Sequence, residues 1–520
     1  MGCQVGYFLP ATESVYEVIR AAKPVLERRT FLQSAPAVAG ASLQVPSRPN
    51  ILWICTDQQR WDTLGVFGNQ QIRTPNLDRL AKQGVAFSRA YSQSPICTPS
   101  RASFMTGLYP SSVHVHRNGN SHFPVETTPR LISRLLADGG YDCGLVGKLH
   151  LSSTWQRVEP RIPDGFRRFE WSHHPRSEPF WPVESHAYQR WLRDQGASWD
   201  KLYKVKKISG YPDPYQAGMP ERYHEVTWGA GETIAAIRGG LRKPWFQCMH
   251  VFAPHPPFDP APEYLERMKP ADFADPLYRP GEEVTQERYS RIDHQTRKPV
   301  APNTYQARHM KAAYAAMVEH IDHEVGRILE TLETTGQRAN TIVVFFSDHG
   351  EMLGDHCLRQ KGCRFYEGAV RIPLLISWPG RFRENLISRE LVELTDIVPT
   401  LLDTLGIAAP STMNGRSLVP VLTGTSNGAR HRDFVRAEYH DTLELPDKTH
   451  ATMLRDERYK LVIYHGHQLG ELYDLREDPS EFHNLFDDPR GQQPRKRLTE
   501  AMLDQLALTT DIGQPRIGKF

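Results

Sequence analysis

Five short, largely apolar runs punctuate the chain: Asn50 to Thr56, Tyr141 to Val146, Trp245 to Phe252, Thr341 to Phe346 and Leu374 to Ser377. Each is too short for a buried helix and lacks the alternation of a half-exposed strand. They therefore read as parallel strands covered on both faces. Between them the period lengthens. Thr74 to Gly84 predicts a helix capped by Thr74 or Asn76, and Thr304 to Thr335 a long one with Tyr314, Met317, Ile321, Val325, Ile328 and Leu332 on one stripe. This alternation predicts an α/β fold with a doubly wound, mostly parallel sheet. Beyond Gly424 the runs become short and alternating (Phe434 to Glu438, Ala451 to Leu454, Tyr459 to Tyr464, Glu471 to Asp474), followed by an amphipathic stretch near Pro494 to Ala507. The expectation is a small antiparallel α+β subdomain over 426–520 behind a main domain over 48–425. In such sheets ligands bind beyond the carboxyl ends of the strands. The polar residues there are Asp57-Gln58, Lys148 and His150, His255, and Asp348-His349.

The first 47 residues differ in character. Arg28-Arg29-Thr30-Phe31-Leu32 precedes a weakly apolar, small-residue run from Ser34 to Leu43, with A-x-A sites at Ala37/Ala39 or Ala39/Ala41. This resembles a twin-arginine export signal, and the run is far shorter than the roughly 18 residues of a membrane span. The expectation for 1–47 is removal during export to the periplasm or exterior, leaving no membrane anchor. Charge adds an exclusion: 63 Lys+Arg against 60 Asp+Glu, a net +3, gives nucleic acid no electrostatic hold. Seven cysteines without a CxxC pair argue against a disulfide framework, with a Cys357–Cys363 pair left open. The aromatic and histidine-rich stretch from Pro160 to Glu225 suits either a sugar-binding surface or packing of a long insertion, so no site residue is assigned there.

One motif carries specific chemistry: Cys97-Thr98-Pro99-Ser100-Arg101-Ala102-Ser103. Alone, it is compatible with a structural thiol at a helix start, Pro99 sitting in the first turn. It stands, however, among Asp57, Thr74-Pro75-Asn76-Leu77-Asp78, Gly107-Leu108-Tyr109-Pro110, Gly147-Lys148-Leu149-His150, Ala253-Pro254-His255, Ser347-Asp348-His349-Gly350-Glu351, Lys361-Gly362 and Arg371-Ile372-Pro373, in that order along the chain. From Asn50 onward the chain thus resembles the type I sulfatases of the alkaline phosphatase superfamily, with their C-x-P-S-R signature.

That resemblance implies that Cys97 is oxidised to formylglycine (3-oxoalanine) by a formylglycine-generating enzyme. One hydroxyl of the aldehyde hydrate attacks sulfur; deprotonating the other collapses the sulfated hemiacetal by C–O cleavage, which a plain Ser or Cys cannot do. It also implies one divalent cation held by Asp57, Gln58, Asp348, His349 and the residue-97 oxygen. Many relatives carry Asp and Asn where this chain has Gln58 and His349. The less anionic shell weakens the case for Ca²⁺ and admits Mn²⁺, with Ca²⁺ still ranked first by resemblance. By the same route Arg101 orients the hydrate, Lys148 and Lys361 bind sulfate oxygens, His150 is the base for collapse, His255 protonates the leaving alcohol, and Asn118 contacts substrate. The expected substrate is a sulfated sugar or glycan fragment. Two rivals remain. Phosphonate monoester or phosphodiester hydrolases share the Asp-Gln and Asp-His pairs, although Lys148 and His150 favour sulfate. A non-catalytic protein that binds sulfated glycans would need neither conversion of Cys97 nor turnover. Oligomeric state is not predicted.

Overall fold

The computed structural model describes residues 48–510 except 177, 204–217, 294, 296–298 and 444–447. The export signal expected over 1–47 lies outside the described residues, and from Ser47 onward the chain forms one compact unit.

The central sheet holds eight strands: β1 (Asn50–Thr56), β2 (Val85–Phe87), β3 (Asp142–Gly147), β4 (Arg168–Trp171), β5 (Trp245–His250), β6 (Thr341–Ser347), β7 (Leu374–Ser377) and β8 (Leu386–Ser388). Their spatial order is β8-β2-β7-β6-β1-β5-β3-β4. β1 runs parallel to both neighbours, β5 and β6, and every residue of β1 is buried. That is why its sequence shows no alternation. Ile51, Trp53 and Cys55 enter one apolar layer, together with Ala102, Phe104 and Met105 from the helix Cys97–Thr106 (α1). Leu52 and Ile54 enter the opposite layer, beneath the 28-residue helix Ala307–Thr334 (α2) with Tyr314, Met317, Ile321, Val325, Ile328 and Leu332.

Two expectations require correction. Leu374–Ser377 is antiparallel to both its neighbours, β6 and β2, and not parallel. A parallel return needs a crossover, usually helical, and the segment after β6 carries nothing longer than the four-residue helix Glu367–Val370; it builds the site instead. The helix Pro75–Lys82 is capped by neither Thr74 nor Asn76. Asp322 of α2 accepts its first amides, from Asn76 at 3.0 Å and Leu77 at 2.8 Å, so a tertiary contact replaces a local cap. Cys357 and Cys363 are both buried and are not joined in a disulfide. Three strands, β2, β4 and β8, are too short to show a period in sequence. The C-terminal region forms a four-stranded antiparallel sheet in sequential order, Val435–His440, His450–Arg455, Tyr459–Tyr464 and Leu469–Asp474, followed by the helix Gln492–Leu508. No described helix is long and apolar enough to cross a membrane.

Candidate functional site

Three carboxyl strand ends and one helix start meet at a single point. Asp57 and Gln58 follow β1, Lys148 follows β3, Asp348 and His349 follow β6, and Cys97 is the first residue of α1. Asp57, Cys97, Asp348 and His349 are all buried, each offering a ligand atom within 4.8 Å of the others. The Cys97 sulfur lies 3.2 Å from His349 Nε2, 3.8 Å from Asp57 Oδ1 and 2.9 Å from Lys361 Nζ.

Each member is fixed from behind. Arg101, one turn along α1 from Cys97, is wholly buried and bridges the two carboxylates, Nε to Asp348 at 3.0 Å and Nη2 to Asp57 at 3.3 Å. Its Nη1 donates to the Lys148 carbonyl at 2.8 Å, so it ties the nucleophile helix to the loop after β3. Lys148 Nζ lies 2.5 Å from Asp57 Oδ2. Gln58 adopts a left-handed φ of 68°. Its amide nitrogen donates to Glu351, which turns the oxygen inward, where it accepts from Lys361 Nζ at 2.7 Å. His349 Nδ1 donates to the Gly350 carbonyl at 2.9 Å, leaving the Nε2 lone pair for the site. Two carboxylates, an amide oxygen and an imidazole nitrogen therefore converge with open coordination capacity, and this donor set fits a divalent cation.

The charges set proton affinities. Burial pushes Asp57 up, but Lys148, His255, Lys361 and Arg101 outweigh it and hold the carboxyl well below its usual range. Burial and Asp57 push the Cys97 thiol up, while Lys148, Lys361 and His349 bring it down to about 7. Burial, then Lys361 and Lys148, depress His255, whose Nδ1 donates to the Pro256 carbonyl at 2.6 Å. Burial, then His173 and Lys148, depress His150. Both imidazoles are thus neutral near pH 7, which suits a base directly and suits an acid once an anion arrives.

Asn118 reaches the site from the side of α1: its Oδ1 accepts from the Thr98 amide at 3.0 Å. The stretch to which no site residue was assigned also arrives. The His173 ring packs edge-on to His150 at 4.4 Å, and His174 against Phe252 at 4.4 Å, with Phe252 beside His255 at 4.5 Å. Only the length of the insertion and its histidines hinted at this placement.

A family model described as Sulfatase matches residues 49–407, and one described as N-sulphoglucosamine sulphohydrolase, C-terminal, matches residues 354–507. The chain is similar to an arylsulfatase of Clostridium perfringens, 30% identical with 88% of this chain and 94% of the relative covered. It is similar also to a Delta 4,5-hexuronate-2-O-sulfatase of Bacteroides thetaiotaomicron, 28% identical with 87% and 88% covered. Among solved structures, the phosphonate monoester hydrolase of Silicibacter pomeroyi superposes with a TM-score of 0.76 at 26% identity, covering 89% of this chain and 96% of that one.

Proposed function

The chain belongs to the sulfatase family and is a sulfuric ester hydrolase, and on that premise we propose that it acts on a sulfated sugar or glycan fragment through a formylglycine made from Cys97. The observation that carries this reading is the convergence of Asp57, Gln58, Asp348, His349 and Lys361 on the Cys97 side chain. A divalent cation held by Asp57, Gln58, Asp348 and His349 would lower the pKa of the attacking hydroxyl and offset sulfate charge.

The remaining work falls to this chain's own residues. Arg101 holds both carboxylates in place and, being buried and paired, contributes a fixed positive field. Lys148 and Lys361, already aimed at the pocket, neutralise sulfate oxygens as charge moves toward the leaving oxygen. His150, neutral, accepts the proton that frees the aldehyde. His255 takes a proton as the anionic substrate offsets the two lysines beside it, then gives it to the leaving alcohol. The sugar assignment draws on the hexuronate sulfatase likeness and on the aromatic and imidazole wall of Phe252, His173 and His174. Export through the twin-arginine route is part of the same reading.

A second reading, phosphonate or phosphate diester hydrolysis, draws on the structural likeness to the Silicibacter pomeroyi enzyme and on Gln58 and His349. The test is the mass of the Cys97 peptide from protein co-produced with a formylglycine-generating enzyme, alongside release of sulfate from sulfated sugars and of alcohol from phosphonate monoesters. Conversion with faster sulfate release supports the first reading, and faster phosphonate cleavage the second. An intact thiol with no turnover supports a binding role.

A further inference from the structure

The loop that delivers Lys148 and His150 has no regular structure after β3. Its backbone is also held in an unfavourable form, with His150 at a φ of 53° in the left-handed region that side chains other than glycine and asparagine rarely occupy. Something must hold it there. The only carboxylate hydrogen-bonded to its backbone among the described residues is Glu159, which is 8% exposed. Its Oε2 accepts from the His150 amide at 2.9 Å and from Trp171 Nε1 at 3.1 Å. Its Oε1 accepts from the amides of Leu151 at 2.6 Å and Ser152 at 3.1 Å. Three consecutive backbone N–H groups therefore close around one carboxylate. The indole that completes the shell is the last residue of β4, which forms the edge of the sheet beside β3.

We propose that Glu159 is a positioning residue for His150: its carboxylate fixes the left-handed turn that aims the imidazole into the pocket, with Trp171 orienting the carboxylate. The proposal rests on the role given to His150 above. An amide cannot replace this carboxylate, because one of its two ends would present N–H groups to backbone N–H groups. Glu159→Gln is expected to lower kcat at least tenfold for sulfate release while KM changes less than threefold, since substrate sulfate is gripped by Lys148 and Lys361.

A double-mutant cycle with His150→Ala distinguishes positioning from general support of the fold. If Glu159 acts through His150, the double variant is no slower than His150→Ala alone; multiplied losses overturn the proposal. Should Glu159→Gln not fold, Trp171→Phe takes its place in the same cycle, with a smaller loss and the same criterion. A readout that needs no turnover separates this from failure of the sulfatase reading. The crystal structure of the Glu159→Gln or Trp171→Phe protein should show 150–152 on a different path with His150 out of the left-handed region and Lys148 still held by the His250 carbonyl and Arg101, and an unchanged path overturns the proposal whatever the enzyme hydrolyses.

Discussion

Two buried clusters in this protein share a design, an arginine spanning a pair of carboxylates. In the pocket Arg101 spans Asp57 and Asp348. Beside the first strand of the C-terminal sheet Arg432 spans Glu393, at 2.9 Å, and Asp396. In the second cluster the surroundings close over every carboxylate oxygen. Glu393 accepts from the Tyr109 hydroxyl at 2.9 Å and the Arg436 amide at 2.8 Å; Asp396 accepts from the Arg416 amide at 2.7 Å, the Glu393 amide at 2.9 Å and His431 at 3.0 Å. In the first, among the described residues, Asp57 Oδ1 meets only the Cys97 sulfur and His349 Nε2, each at 3.8 Å. Burial and ionisation alone do not distinguish a working site from a structural one. Unspent donor and acceptor capacity converging on one point does.

The contrast is sharpest if the pocket is deprived of the divalent cation proposed for it. Removing divalent metal with a chelator should lower hydrolysis by about four orders of magnitude, about 5.4 kcal/mol of barrier, restored by Ca²⁺ or Mn²⁺. Chelation that leaves turnover intact would break the comparison at its functional end. Next comes Arg432→Ala, which strands two carboxylates and should cost roughly 3–5 kcal/mol of unfolding free energy by denaturant titration. Turnover per folded molecule should stay within about twofold; a large fall would mean that the second cluster also serves the reaction. The smallest effect is in acid. Burial raises Asp396, but Arg432 and His431 outweigh it and hold the carboxyl at about 2, below its ordinary 3.8. Its contribution is therefore complete above about pH 4 and lost as pH falls toward 2. Burial raises Glu393, which works in the opposite sense. The thermal midpoint should fall modestly from pH 5 to 2.5, and the slope should flatten in Arg432→Ala.

How much of this was legible in the sequence depends on range. The convergence of these side chains was readable because Asp57, Asp348 and His349 each end an apolar run and Cys97 opens a motif, so local signals placed them. The fully buried central strands were readable for the same reason: β1 carries no polar face to obscure it. What was hidden required contacts across the chain. Glu159 is an unremarkable loop acid until Trp171 and three amides surround it, and the direction of Leu374–Ser377 depends on what the preceding segment does instead of crossing over. Asp322 took the capping role expected of Thr74 or Asn76 from 246 residues away. His173 and His174 lay in an insertion whose path no local pattern specifies.

All ten residues of the helix that begins with Cys97 are buried, as is the isoleucine before it. Read as a matter of biosynthesis, this sets an order of events. For the conversion proposed above, an oxidising enzyme would have to grip the Cys97-Thr98-Pro99-Ser100-Arg101 stretch before it folds, since the finished fold buries all of these side chains. Under the proposed reading, conversion competes with folding as the chain emerges. A molecule that folds first is sealed with its thiol, identical in shape to its active sibling and permanently unable to work. Specific activity would then vary between preparations with the supply of the maturation enzyme, while spectra and melting curves stay the same.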